Sequence, residues 1–280
     1  MLKTRVMHVA AALAAAFALA GCAGDIGPTQ TFPVNVPRPA DPSEVWTVEL
    51  NLGAASVQVG SSGEGIVQGT IAYNVESLKP TLTIAPGRVT LGQEFKGVLP
   101  VNTRNDWRLQ LGRGVRTRLV VNTGASSGTW ELGGLWLEGL TWAQGAADAT
   151  VSFGAPNPAA LSDFSVRGGA ASLTMRGLGS ANIRSGGITA GAGVMTLVFD
   201  GQLAADTTLM LDGGVSSVVI YSGGNPVQLI DEGALKAIEA NDWAQLDDTY
   251  TSPEWATASG PRITLRSRLG VATLRLITGR

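Results

Sequence analysis

A short phrase recurs through the middle of the sequence and constrains the fold more than any other feature. It is a corner of small residues followed by an alternating segment, and it begins at Gly124, Gly145, Gly168, Gly191 and Gly213. The residues that open the alternating segments lie 21, 24, 22 and 22 positions apart: Thr129, Thr150, Thr174, Thr196 and Val218. A fixed period of this length is typical of a solenoid, because each unit is too small to bury its own apolar face and must stack on the next.

The segment after Gly124 indicates which side chains the repeat buries. One alternating phase holds large apolar residues: Trp130, Leu132, Leu135, Leu137, Leu140 and Trp142. The other phase holds Thr129, Glu131, Trp136, Glu138 and Thr141. Because period-2 alternation is typical of a strand with one buried face, the first set is predicted to be interior and the second exposed. The corner glycines are predicted to supply positive φ angles, and the alanine after each corner to point inward. The sequence therefore predicts an all-β solenoid with rungs of about 21–24 residues.

The regions that flank the clearest repeats are predicted to cap the stack. Residues 44–113 contain one corner and longer strands near 66–73 and 81–91, which predicts an N-terminal capping segment. Residues 114–280 are predicted to be the repeat solenoid with its C-terminal cap. Within them, residues 231–246 place Leu235, Ile238 and Leu246 roughly on one stripe after Asp231, which predicts one short helix near the C-terminus.

The first 22 residues carry an export signal. Lys3 and Arg5 precede an apolar run over residues 9–20, which is too short to span a bilayer. The run ends in Leu-Ala-Gly-Cys22, which resembles the lipobox of bacterial lipoproteins and implies a diacylglyceryl thioether and an acylated amine on Cys22. Several acyl chains would anchor the protein stably in a membrane. The alternative is an ordinary signal peptide followed by an incidental cysteine, but Cys22 is the only cysteine in the chain.

Residues 1–21 are thus predicted to be a lipoprotein signal peptide and residues 22–43 a tether. The tether carries five prolines, Pro28, Pro33, Pro37, Pro39 and Pro42, and is predicted to have no fold of its own. By the lipoprotein rule, Ala23 after the cysteine allows export to the outer membrane. In a bacterium with one membrane, the same anchor would lie on the outer face of the plasma membrane.

Composition excludes several classes of function. Removal of residues 1–21 takes away Lys3, Arg5 and His8, which leaves 18 basic and 22 acidic residues and a net charge of about −4. Nucleic acid is therefore not an expected partner, because phosphate binding needs a basic surface. The mature chain has no histidine and no free thiol, so histidine-dependent catalysis and histidine-based metal sites are excluded. We predict no catalytic residue, no metal site and no cofactor.

A few side chains remain as candidates for contact with a ligand. Trp136 is predicted to be exposed on a rigid face, where it would contact a protein or a sugar ring, unless another segment covers it. Glu131 and Glu138 form an acidic pair on one predicted face, which is more typical of a solvated face than of a glycosidase. Three aspartates at intervals of six, Asp200, Asp206 and Asp212, are better explained as turn residues than as calcium ligands. Five arginines near the C-terminus predict a solubilising basic edge: Arg262, Arg266, Arg268, Arg275 and Arg280.

The order of several phrases resembles the toast-rack family of bacterial envelope proteins, which includes the C-terminal domain of LiaF-like cell-wall stress-response proteins. The phrases are VELNLGAASVQV (48–59), VQGTIAYNVESLKPTLTI (67–84), NDWRLQL (105–111), GAPNPAALSDFSVRGGAASLTMRGLGSANI (154–183) and LGVATLRL (269–276). The resemblance spans residues 44–280 and implies a right-handed, β-helix-like stack without catalytic activity. Some relatives restrain a membrane sensor kinase, and others are classed as candidate adhesins. This chain departs from the LiaF-like regulators because it has a lipid anchor where they have transmembrane helices.

These observations lead to one expected function and two alternatives. The expected function is a non-catalytic, lipid-anchored scaffold or partner-binding module of the bacterial cell envelope, acting in envelope stress response or adhesion. Its partners would be the membrane, through lipid on Cys22, and an envelope protein or a glycan. The first alternative is a protein that binds or cleaves surface glycans. The second is a structural lipoprotein whose solenoid ends assemble into homo-oligomers.

Overall fold

The computed structural model describes residues 26–93, 99–170, 172–214, 216–233 and 236–279. These residues form 23 strands and two 3₁₀ helices, the latter at Glu76–Leu78 and Pro253–Thr257. The strands are β1 (Gln30–Val36), β2 (Val45–Leu52), β3 (Ser56–Gly63), β4 (Val67–Tyr73), β5 (Thr81–Ala85), β6 (Arg88–Gly92), β7 (Asn105–Gly112), β8 (Arg116–Thr123), β9 (Ser127–Glu131), β10 (Trp136–Gln144), β11 (Asp148–Ser152), β12 (Asp163–Gly168), β13 (Ser172–Arg176), β14 (Ser185–Ala190), β15 (Val194–Val198), β16 (Thr207–Gly213), β17 (Ser216–Tyr221), β18 (Val227–Asp231), β19 (Lys236–Ala240), β20 (Ala244–Leu246), β21 (Thr249–Thr251), β22 (Ile263–Leu269) and β23 (Ala272–Ile277).

The strands form two facing sheets, as the repeat predicts. Sheet A has the order β1-β4-β7-β3-β9-β11-β13-β15-β17-β23-β19, and sheet B has the order β20-β21-β18-β22-β16-β14-β12-β10-β8-β2-β6-β5. Each rung contributes one strand to each sheet, and neighbouring rungs pair by parallel strands. Antiparallel pairs in the described residues occur at the two ends of the stack, where β1 and β4, β5, and β20 and β21 are added. The all-β solenoid is therefore confirmed.

The alternating pattern predicts the core correctly. All six large apolar residues from Trp130 to Trp142 are at most 1 % exposed. The rings of Trp130 and Trp142 meet edge to face, with centroids 4.8 Å apart, between the two sheets. Thr129, Thr150, Thr174 and Thr196 stand in register on the outer face of sheet A. The next position in that column is Val219 rather than Val218, which is buried.

The corner glycines are needed for a reason other than the predicted positive φ. Gly124, Gly145 and Gly191 do not have positive φ angles. A Cβ atom on Gly191 would instead lie 2.6 Å from the carbonyl oxygens of Gly168 and Gly169 in the preceding rung. The nitrogen of Gly191 donates to the Gly168 oxygen at 2.8 Å, so the main chains of successive corners are in direct contact. Glycine is required here because nothing larger than hydrogen fits between the rungs.

The prediction that the alanine after each corner glycine points inward is also wrong. Ala125 and Ala146 are exposed, and the next residues, Ser126 and Ala147, are the small buried ones. The residue directly after the corner glycine therefore faces outward before the chain enters sheet A. The alternation continues from the second residue after the glycine, which faces the core.

Rungs at both ends stack in an order that differs from the chain order. The pair β2 and β3 lies between the rung of β6 and β7 and the rung of β8 and β9. Likewise β22 and β23, the last two strands, lie between the rung of β16 and β17 and the rung of β18 and β19. The final strands are therefore covered on both sides, which the linear order of the repeats does not reveal.

The helix predicted over residues 231–246 is wrong in the described residues. Lys236–Ala240 forms strand β19, and Ala244–Leu246 forms strand β20. Ile238 packs against the core, and Glu239 forms an ion pair with Arg275 of β23 at 2.9 Å. Pairing with β23 therefore outweighs the weak helical stripe. Leu235, the first member of that stripe, lies outside the described residues.

The tether predicted over residues 22–43 is wrong for its central part. Strand β1 pairs with β4 over Gln30–Val36, and Val34 and Val36 are buried in the main core. The apolar residues at alternate positions outweigh the prolines, because Pro33 sits on an edge strand, where its missing N–H is tolerated. In the predicted cap, the segment at 81–91 is a hairpin of β5 and β6 that turns at Pro86-Gly87.

Replacing Gly191 by alanine is expected to destabilise the fold by roughly 1–3 kcal/mol, because the rungs must separate to admit a methyl group. Gly187 lies in the same rung, and a Cβ atom there would meet nothing within 4 Å. Gly187→Ala should therefore be neutral or should stabilise by up to about 1 kcal/mol. Urea unfolding of both variants measures the difference. Equal free energies of unfolding for the two variants would contradict this account of the corners.

Candidate functional site

Trp136 lies on the outer face of sheet B, as predicted. It opens β10, and its side chain is 38 % exposed. Its neighbour on β8 is Arg116, whose Nε donates to Oε1 of Glu138 at 2.6 Å. The indole therefore stands beside an ion pair that links two rungs. The backbone at Trp136 pairs with β8, whereas the pairing of β10 with β12 begins at Gly139.

A second group of hydrogen-bonded side chains lies on the outer face of sheet B, on strands β8, β2 and β6. Asn122 Nδ2 donates to Asn51 Oδ1 at 2.8 Å, and Asn51 Nδ2 donates to Glu49 Oε1 at 3.0 Å. Arg88 forms an ion pair with the same glutamate. The amide of Asn51, together with the guanidinium of Arg88, lowers the pKa of Glu49 below its ordinary value, although partial burial opposes the shift.

An open groove of about 540 Å³ runs across several rungs where sheet B strands reach the glycine corners. Its floor is the main chain of the corners, including Gly124 and Gly145, where side chains are absent. Three polar side chains line it: Asn51, Asn122 and Arg167. Gln144 also borders it, but this residue is buried and its amide binds Trp142, Ala147 and Ser172. The Arg167 side chain is exposed, with no acidic partner within ion-pair distance among the described residues. Such a surface offers amide and guanidinium donors to an elongated ligand.

Sequence reasoning missed this groove, although a signal was present. Asn51, Asn122 and Ala143 each stand two positions before a corner glycine, and Arg167 stands two positions before Gly169, the glycine in register with Gly145. Stacking of the corners brings these positions into one column on sheet B. The repeat could have shown that they share a column, but not that the column borders a groove.

The predicted acidic pair is separated by the fold. Glu131 ends β9 in sheet A, whereas Glu138 lies on β10 in sheet B. The two carboxylates therefore point away from opposite faces, because the turn at 132–135 carries the chain from one sheet to the other. They cannot act together on one glycosidic bond.

Two of the three predicted turn aspartates make specific contacts, whereas Asp212 lies within strand β16. Oδ1 of Asp200 accepts the N–H of Gly177 at 2.6 Å, and Oδ1 of Asp206 accepts that of Arg262 at 2.9 Å. The predicted basic edge is wrong, because the strands that carry its arginines, β22 and β23, are paired on both sides. Two arginines of β22, Arg266 and Arg268, share the carboxylate of Glu232. The guanidinium of Arg262 lies 4.7 Å from the ring centroid of Trp255. Arg280 lies outside the described residues.

The described part of the chain brings no three His, Cys, Asp or Glu side chains together where they could hold a metal ion. Among the same residues, no helix is both long and apolar enough to cross a bilayer. Cys22, the predicted lipidation site, lies outside the described residues.

Comparison of the sequence with known families identifies the family. The family model of the N-terminal domain of toast_rack, DUF2154, matches residues 25–176, and the chain belongs to this family. A candidate cell adhesion protein from Clostridium sporogenes is similar in structure, with 15% identity, a TM-score of 0.47 and coverage of 89% of this chain and 98% of that one. A candidate adhesin from Bacteroides fragilis has 11% identity, a TM-score of 0.30 and coverage of 89% and 97%. No curated protein shows significant similarity.

Replacing Glu49 by glutamine is expected to make stability less dependent on pH. The unfolded-state pKa of a glutamate is about 4.3, and the folded-state pKa of Glu49 lies below its ordinary value. The stabilising contribution of its ionised form is therefore complete above the unfolded-state pKa and is lost as the pH falls through the folded-state pKa. Urea unfolding between about pH 7 and about pH 3 should show a steeper loss for the wild type than for Glu49→Gln. An equal loss of unfolding free energy in the wild type and in Glu49→Gln would contradict the assignment of this pH dependence to Glu49.

Proposed function

We propose that this protein is a lipid-anchored, non-catalytic module of the bacterial cell envelope that binds a partner protein through the outer face of sheet B. The lipobox at Cys22 supports the anchor, and membership of the toast-rack family supports a role in the envelope. The observation that carries the partner-binding proposal is the exposed Trp136 beside the ion pair of Arg116 and Glu138.

The outer face of sheet B is suited to binding because its backbone and side chains are held in place before a partner binds. Parallel pairing with β8 fixes the backbone at Trp136, and Glu138 holds Arg116 in place. Binding to such a surface costs little conformational entropy. Tryptophan and arginine are also the residues that most often dominate the binding energy of protein interfaces.

Capture of the partner is expected to depend on Trp136. Cross-linking of the tagged lipoprotein in cells, followed by mass spectrometry, identifies the partner. Truncation of a central tryptophan costs roughly 2 kcal/mol or more, so Trp136→Ala should weaken binding of the purified partner about 30-fold.

The matched control is Val194→Ala, which removes a 49 % exposed apolar side chain from sheet A. This variant should bind as the wild type does. Equal weakening by both substitutions, or by neither, would contradict the assignment of the interface to sheet B. Mass spectrometry of the same purified protein shows whether Cys22 carries lipid, which tests the anchor separately.

A second candidate function is binding of an acidic glycan in the groove beside the corners. The observation that favours it is the pair of exposed side chains, the amide of Asn122 and the guanidinium of Arg167, above a floor of main chain. A guanidinium without an acidic partner can bind a carboxylate through two parallel hydrogen bonds. The groove crosses several rungs, which suits a linear polymer rather than a compact ligand.

Replacing Arg167 by alanine is expected to reduce retention on an acidic polysaccharide about tenfold, because a hydrogen bond to a charged group contributes roughly 1.5 kcal/mol or more. Arg176 is also an exposed arginine, lies on sheet A and supplies the control, Arg176→Ala. Affinity electrophoresis of the two variants gives the comparison. A similar loss in both would indicate non-specific charge attraction and would exclude the groove as the site.

A further inference from the structure

The segment between the anchor and the fold is much shorter than the sequence suggests. The nitrogen of Gly27 donates to the carbonyl of Asn74 at 2.8 Å, and β1 begins three residues later. The fold therefore begins at Gly27 rather than at residue 44. Five residues from Cys22 to Gly27 span at most about 18 Å. Lipid on Cys22 would hold this point of the fold close to the membrane surface.

Two exposed apolar side chains lie at the same end of the stack. Ile26 is 47 % exposed and Val101 is 84 % exposed. Asn74 connects their segments, because its carbonyl accepts the N–H of Gly27 and its Nδ2 donates to the Asn102 oxygen at 3.1 Å. Ile26 and Val101 thus flank one asparagine at the N-terminal end of sheet A.

The edge strand of sheet A at this end disfavours extension of that sheet by another polypeptide. Strand β1 is the outermost strand of sheet A at this end, and Pro33 in its middle has no N–H to donate. A proline on an edge strand blocks continuous pairing with an added strand. The edge strand of sheet B, β5, has only five residues and lies between Pro80 and Pro86. The exposed apolar residues are therefore better matched to a surface that makes no main-chain hydrogen bonds.

We propose that the N-terminal end of the stack, through Ile26 and Val101, rests on the lipid bilayer that holds Cys22. This inference depends on the lipid anchor proposed above. The short tether keeps both side chains at a high effective concentration next to the bilayer, so a weak apolar contact suffices. The C-terminal end of sheet A is ten strand spacings away, roughly 48 Å, and projects into the aqueous phase.

The test uses the lipidated protein in vesicles of phosphatidylethanolamine and phosphatidylglycerol. Since the single native cysteine is consumed by the thioether, Val101→Cys introduces one free thiol for an environment-sensitive fluorophore. Leu246→Cys is the matched control, because Leu246 is 76 % exposed and lies on β20 at the opposite end. Lipids that carry a nitroxide quencher in the acyl chain then report contact with the bilayer.

The proposal predicts loss of fluorescence at position 101 and none at position 246. No loss at either position, in protein whose Cys22 is lipidated by mass spectrometry, would overturn this proposal and leave the anchor intact. Equal loss at both positions would also overturn it, because the domain would then lie along the membrane. Absence of lipid on Cys22 would remove the anchor and this inference with it.

Discussion

The contact between main chains at the glycine corners is the constraint on which the rest of the structure depends. Successive strands of one sheet are separated by about 4.8 Å. At the corner the chain must pass from sheet B to sheet A at the same separation, so each corner touches the carbonyls of the one before. Glycine at this position lets the two sheets keep one register over seven consecutive rungs of the described chain, from β2 and β3 to β22 and β23. Every column of side chains on the outer faces follows from that register.

The two outer faces differ although the same repeat builds them. Over its central rungs sheet A presents short hydroxyl side chains, with Thr129, Thr150, Thr174 and Thr196 in one column. The ion pair of Glu239 with Arg275 links two rungs of sheet A only at its C-terminal end. Sheet B presents longer polar side chains that bind one another across rungs, such as Arg116 with Glu138 and Asn122 with Asn51. Sheet B therefore offers a surface with fixed donors and acceptors. This difference is the physical basis for placing the binding face there.

Local patterns allowed the sequence to predict the solenoid, its period and its buried residues, including Trp130 and Trp142. These features depend on neighbours within one rung, so a short window contains the information. The insertion of β22 and β23 between two earlier rungs depends on partners that lie far apart in the chain. The same holds for β19, whose pairing with β23 replaces the predicted helix, and for β1, whose burial shortens the tether.

The candidate site was partly predictable for the same reason. The exposure of Trp136 follows from its phase in the alternation, and the structure agrees. The pairing of Glu131 with Glu138 was wrong because alternation gives the face of a strand but not the sheet that contains it. The groove beside Arg167 depends on the stacking of several corners, which a single repeat cannot show.

Native-state hydrogen exchange tests the central claim, that the rungs stack in a spatial order different from the chain order. Strand β23 is paired on both sides, whereas β19 is an edge strand that precedes it in the chain. The odd-numbered residues of β23 face β17, because the N–H groups of Ser216 and Ser222 donate to the carbonyls of Val271 and Ile277. The account predicts that the amides of Thr273 and Arg275 exchange only by global unfolding, while those of β19 exchange through local opening at lower free energy. Faster exchange in β23 than in β19 would show that the C-terminal strands lie at the end of the stack and would contradict the account.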